Sequence, residues 1–241
     1  MSAAVAAATP SAYWYLTRAT GAVALLLLTL ALALGVLDVR RWRSPRWPRF
    51  LVDSLHRSVS LLAMVFLALH ILTSVLDSFA SISLADAFIP FAGSYRPLWL
   101  GLGALSFDLL LAVTITSMLR ERVGYRGWRA IHWLAYASWP VALLHSFGTG
   151  SDVKQAWFLV GSVACLGVVL AAVLVRVISG WRQNPGRRAA ALACAGGFSL
   201  FLLAWLPGGP LGPNWARRSG TPSSLLAHVH SGQGASGKSE Q

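Results

Sequence analysis

The chain has 241 residues, 56% of them hydrophobic and 12% charged, about half the charged share of a soluble domain. The apolar residues fall in runs long enough to cross a hydrocarbon core, which takes about 20 residues of helix, and this excludes a soluble globular domain. The formal net charge of +12 does not mark a nucleic-acid binder, because most of the arginine sits in short clusters between apolar runs, as the positive-inside rule produces.

Residues 1–12 are small and uncharged and lack the basic stretch of a signal peptide. They read as a short extracytoplasmic segment. The first apolar run, Trp14 to Leu37, is too long for a signal sequence and predicts a membrane helix. DVRRWRSPRWPR follows, with Arg40, Arg41, Arg43, Arg46 and Arg49 around two prolines. The second helix is expected over Phe50 to Leu76. A mixed loop holds Asp77, Asp86, Pro90, Arg96 and Pro97.

The third helix is expected over Leu98 to Leu119 and ends in the basic stretch RERVGYRGWR. The fourth is expected over Trp128 to Phe147, followed by the short loop GTGSDVKQ. The fifth runs over Ala156 to Ile178, and a third basic loop carries Arg182, Arg187 and Arg188. The sixth is expected over Ala189 to Leu206. From Pro207 the chain is rich in Gly, Ser and Pro and reads as a disordered extracytoplasmic tail. The fold class is therefore all-α, a polytopic bundle of six transmembrane helices.

The basic clusters fall in the first, third and fifth loops, which places these loops in the cytoplasm and both termini outside. Trp14, Trp99, Trp128, Trp157 and Trp205 lie near run ends, where interfacial aromatics belong. Cys165 and Cys194 stand alone in apolar runs, with no CxxC or CxxCH. Disulfide, thiolate-metal and covalent-haem readings have no support there.

Four histidines lie inside apolar runs, His56 and His70 on the second helix and His132 and His145 on the fourth. Fourteen and thirteen positions of helix rise by about 21 and 19.5 Å. The two helices run the same way, so His56 comes level with His132 and His70 with His145. At about 100° per residue, 14 steps return His70 to within about 40° of His56. Thirteen steps turn His132 and His145 apart on an ideal helix, and Pro140 supplies a distortion that brings them to one side. Each level then offers two imidazoles from facing helices, the set that takes a haem iron from both sides in apolar surroundings. Two such levels make an electron relay, because tunnelling falls steeply with distance and one haem does not span a bilayer. An isolated intramembrane histidine serves equally well as a helix–helix hydrogen-bond partner. Four at matched depths are harder to obtain by chance.

The runs HRSVSLLAMVFLALH and IHWLAYASWPVALLH resemble the ferric reductase-like transmembrane domain, over about residues 13–180. That group includes the membrane parts of NADPH oxidases, ferric reductases and the haem-binding membrane subunit of a methionine sulfoxide reductase system. YRPLWLGLGALSFDLLLA resembles the corresponding helix of actinobacterial members. The resemblance implies two b-type haems, an inner one on His56 and His132 and an outer one on His70 and His145. It implies transmembrane electron transfer in a bacterial plasma membrane. Many relatives carry a flavin- and nicotinamide-binding module; this sequence has no GxGxxG opening a helix. The donor is then separate, a quinol or a flavoprotein, and the acceptor is an extracytoplasmic protein or ferric iron.

Arg18 reads either as a contact to the outer haem propionates or as a side chain snorkelling to headgroups. Arg57 reads as an inner propionate contact or as ordinary positive-inside charge. Asp108 is the acid deep in an apolar run, a partner for Arg18 or a proton relay. Trp139 lies between the two levels, as a bridge or as packing. His228 and His230 sit in the tail, as a metal site or as solvated residues. Two other functions fit the histidines: a proton-coupled transporter or channel, and a structural membrane subunit with non-haem histidines.

Overall fold

A computed structural model describes residues 11–39, 49–178 and 185–226, and these are helical, with no strand among them. Helix α1 (Ala12–Val39) starts where Ser11 Oγ accepts the Trp14 N–H at 3.0 Å, an N-cap that satisfies one free donor of the first turn. The same hydroxyl donates to Asp77 at 3.0 Å, tying the start of α1 to the end of α2 (Arg49–Leu76). The short α3 (Leu84–Phe88) carries a reciprocal capping box between Ser83 and Asp86. Helix α4 (Pro97–Met118) opens on a proline at its first position, where no N–H is missed.

The expected fourth span is not one helix. It appears as α5 (Arg120–His132) and α6 (Leu134–Thr149), interrupted at Trp133. Within α5, Gly124 has φ 75° and ψ 157°, a region open to glycine alone. There the chain reverses after α4. Pro140 lies inside α6 and removes the N–H that would serve the Tyr136 carbonyl. Nearer the start of α6, the Tyr136 N–H closes a tighter turn on the Trp133 carbonyl at 3.1 Å. Helix α6 alone rises about 24 Å, short of a hydrocarbon core of about 30 Å. Five described helices, rather than the expected six, are long and apolar enough by themselves to cross a membrane.

The other two are α7 (Ala156–Ile178) and α8 (Pro185–Gly208). Arg188, in the first turn of α8, donates to the Arg176 and Val177 carbonyls at 2.6 and 2.9 Å. These are late α7 carbonyls without helical partners of their own. Packing continues past Pro207. Helix α9 (Trp215–Arg218) follows, and Trp215 rests on Trp99 and Trp205, with centroids 5.3 and 5.8 Å away. Of the expected tail, only residues 227–241, with His228 and His230, lie outside the described residues. So do Arg40, Arg41, Arg43, Arg46 and Arg182.

Helix α1 packs along α2, α4 along α6, and α7 against α1. Leu25, Trp139, Leu143, Phe147 and Cys165 form the buried core. Outward-facing Leu61, Val65, Leu72, Val163 and Leu203 are exposed, as a lipid-facing surface requires. Trp139 is a core residue, and its indole N–H donates to Thr29 Oγ1 at 2.8 Å. Leu143 is 1% exposed. Leu143→Ala is expected to lower unfolding stability in detergent by about 1–3 kcal/mol, below the soluble-core range because lipid offers the removed methyls no worse a solvent. Denaturant titration of helicity reads it, and a change under about 0.5 kcal/mol would show that this core is not tightly packed.

Candidate functional site

The antiparallel packing of α1 and α2 sets the first two histidines. His70 Nδ1 donates to the Thr17 carbonyl at 2.8 Å and His56 Nδ1 to the Ala31 carbonyl at 2.9 Å. Two positions 14 apart on α2 thus meet two positions 14 apart on α1. Both histidines turn the same nitrogen toward α1. On the other side, α4 receives α6, and His145 Nδ1 donates to the Trp99 carbonyl at 2.8 Å.

These bonds decide the tautomers. A carbonyl only accepts, so each of these Nδ1 atoms carries the proton and each Nε2 keeps a lone pair. That is the form in which a histidine ligates a metal, with the second nitrogen oriented by a backbone carbonyl. The fourth histidine differs, because His132 Nδ1 is buried and finds no hydrogen-bond partner among the described residues.

The four rings assemble as two pairs. His70 and His145 have ring centroids 6.2 Å apart at 82°, and His56 and His132 lie 6.3 Å apart at 72°. The helix is interrupted at Trp133, between His132 and His145, and runs unbroken through Pro140. Two metal–imidazole bonds of about 2 Å each, plus the distance from each nitrogen to its ring centre, sum to about 6 Å. The donor set and its spacing therefore fit an iron held between two imidazoles. No group of three or more His, Cys, Asp or Glu side chains is gathered among the described residues. Two imidazoles per level suit a metal that brings other ligands of its own, as haem iron does.

A cavity of about 440 Å³ adjoins His70 and His145, within the range of cofactor sites. Its apolar wall includes Leu25, Leu67 and Phe107; its polar end includes Arg18, Tyr95, Arg96 and Asp152. Arg18 forms an ion pair with Asp152 and lies 3.7 Å from the Trp14 ring centroid. The partner of Arg18 is thus Asp152, in the loop between α6 and α7, and not Asp108, which is half-buried on α4. Arg57 is exposed, one position after His56.

Several site residues were missed by sequence reasoning. Asp152 read as one loop acid among others. Arg96 is buried, with φ 42°, and donates to the Gly148 and Thr149 carbonyls at 3.0 and 3.1 Å and to Thr221 at 2.9 Å. It clamps the end of α6 three and four residues beyond His145. Burial pushes the Tyr95 phenol up despite the adjacent Arg96 charge, so Tyr95 stays a neutral group at the cavity. Gly21, Gly35 and Gly103 face three of the histidine rings. Their signal was present, since Gly21 and Gly35 repeat at the 14-residue interval of His56 and His70.

No curated protein and no solved structure matches the chain. The family model described as the ferric reductase like transmembrane component matches residues 19–143. The match begins one residue after Arg18, takes in His56, His70 and His132, and stops two residues before His145. It covers just over half of the chain, and with paired histidines at two levels of an apolar helical bundle, the chain belongs to the ferric reductase-like transmembrane family.

Proposed function

We propose that this protein carries electrons across a bacterial plasma membrane through two b-type haems, an inner one on His56 and His132 and an outer one on His70 and His145. The observation that carries the reading is the pairing of imidazoles 6.2 and 6.3 Å apart at both levels, with three Nδ1 protons committed to helix carbonyls. Haem, which ferric reductase-like domains are known to bind, would supply one-electron exchange at its iron. The protein's own part is to hold each imidazole in a single tautomer, to exclude water with the apolar wall, and to offer cationic side chains to the propionates. Arg18 is the candidate at the outer level and Arg57 at the inner.

Helix α6, continued backward through Trp133 to Tyr125, makes a sixth crossing. The basic loops then lie in the cytoplasm and both termini outside. Electrons enter from a quinol or a separate flavoprotein and leave to an extracytoplasmic protein or ferric iron. The tautomers weigh against a proton relay. The δ-protonated imidazoles of His70 and His145 present only acceptors to each other, and about 20 Å of apolar helix separates the two levels.

The test is the purified full chain, expressed with ample haem. Oxidised and dithionite-reduced visible spectra and a pyridine haemochrome assay are expected to give about two b-type haems per chain. A colourless protein under those conditions would return the histidines to structural or proton-relay roles.

A further inference from the structure

Three of the four histidines share one local arrangement. The carbonyls of Thr17, Ala31 and Trp99 each accept an imidazole Nδ1–H at 2.8–2.9 Å. Four residues after each stands a glycine: Gly21, Gly35 and Gly103. In an α-helix the carbonyl of residue i meets the N–H of residue i+4. Side chains lean toward the N-terminus, so residue i+4 covers the turn that carries that carbonyl. A glycine leaves it open from the side. A Cβ at Gly103 would lie 2.5 Å from His145 Nδ1, one at Gly21 2.9 Å from His70 Nδ1, and one at Gly35 3.2 Å from His56 Cε1.

The fourth position breaks the pattern. His132 stands 13 residues before His145, so its counterpart on α4 lies 13 or 14 residues after Trp99, at Ala112 or Val113. The residues one turn on are Thr116 and Ser117, not glycine. Their hydroxyls donate to the Ala112 and Val113 carbonyls, each at 2.7 Å. His132 Nδ1 is left buried without a partner among the described residues. The ring lies against Trp128, centroids 4.9 Å apart.

We propose that Gly21, Gly35 and Gly103 are positioning residues that open one carbonyl each and commit His70, His56 and His145 to the Nδ1–H tautomer, and that His132, lacking such a glycine, is the one uncommitted imidazole. The two levels are therefore built unequal: the His70 pair is anchored on both sides, the His56 pair on one. The significance for ligation rests on the haem reading; the tautomers do not. A ligating histidine whose second nitrogen donates is held in place and made more basic, so His132 is the ligand most easily displaced.

The test uses the full chain in micelles with its histidines labelled with heavy nitrogen. The sample is dithionite-reduced, which keeps any bis-imidazole iron diamagnetic. Long-range proton–nitrogen spectra are expected to show Nδ1–H signals at the downfield shift of a hydrogen bond from three of the intramembrane histidines, and none at that shift from His132. Gly103→Ala is expected to abolish the His145 signal while those of His56 and His70 persist. Gly35→Ala, the mildest approach, is expected only to shift the His56 signal. Gly161→Ala, where a Cβ meets nothing within 4 Å, is expected to move none. Four equivalent signals in the wild type, or a His145 signal untouched by Gly103→Ala, would overturn the proposal. Should Gly103→Ala not fold, the wild-type spectrum still decides. Haem counts on the same samples separate the two readings. The three-to-one pattern without haem keeps the glycine assignment and removes the haem reading. Two haems with four equal signals do the reverse.

Discussion

On the proposed ligation, replacing His70 or His145 with alanine is expected to remove one haem, taking the haem-to-chain ratio from about two to about one. Each variant deletes one of the two imidazoles that would hold the iron, at a level where both are oriented by helix carbonyls. Alanine leaves no donor in reach, because no third His, Cys, Asp or Glu is gathered there among the described residues. The other level lies about 20 Å along the helices and is expected to keep its haem and its reduced spectrum. The double variant His70→Ala/His145→Ala is expected to lose no more than either single one, since both act on one group. Pyridine haemochrome titration against protein mass reads the ratio. A ratio unchanged in both single variants would remove these residues from the cofactor site.

Asp152→Ala is expected to destabilise the protein by about 2–4 kcal/mol, by leaving the Arg18 guanidinium without its counter-ion. The Asp152 side chain is 9% exposed and that of Arg18 24%. Arg18 is not fully enclosed, so the effect sits toward the lower part of the range for a broken buried pair. The pair joins α1 to the loop between α6 and α7, at the cavity beside His70 and His145. Removing both charges, as in Arg18→Met/Asp152→Ala, is expected to recover much of the loss. Denaturant titrations of the two single variants and the double variant give the coupling as a cycle. Additive effects would show that the pair contributes nothing as a pair.

That pair illustrates what was not legible in the sequence. Arg18 and Asp152 are 134 positions apart, and nothing in the spacing of either marks the other. Arg18 stood out because a cation inside an apolar run is costly. Asp152, in a polar loop, did not. Arg96 was likewise an ordinary loop arginine until its guanidinium proved to hold the Gly148 and Thr149 carbonyls. Trp99 and Trp205 read as interfacial anchors, yet they stack on each other with centroids 5.0 Å apart and receive Trp215. Interfacial preference and helix packing select the same large aromatic rings.

The sequence by itself determined the class of solvent, the helical fold, the positions of five long helices and the register of the histidines. The hydrocarbon core demands internally bonded backbone and long apolar runs. The rise of a helix converts spacing into depth without reference to neighbours. Tertiary structure alone decided where the fourth run breaks, at Trp133 rather than at Pro140. It also chose which nitrogen carries the proton in His56, His70 and His145, and left His132 without a partner among the described residues. These depend on which carbonyl of another helix comes within about 3 Å, and that distance is set by the helices packing together, not by the order of residues along any one of them.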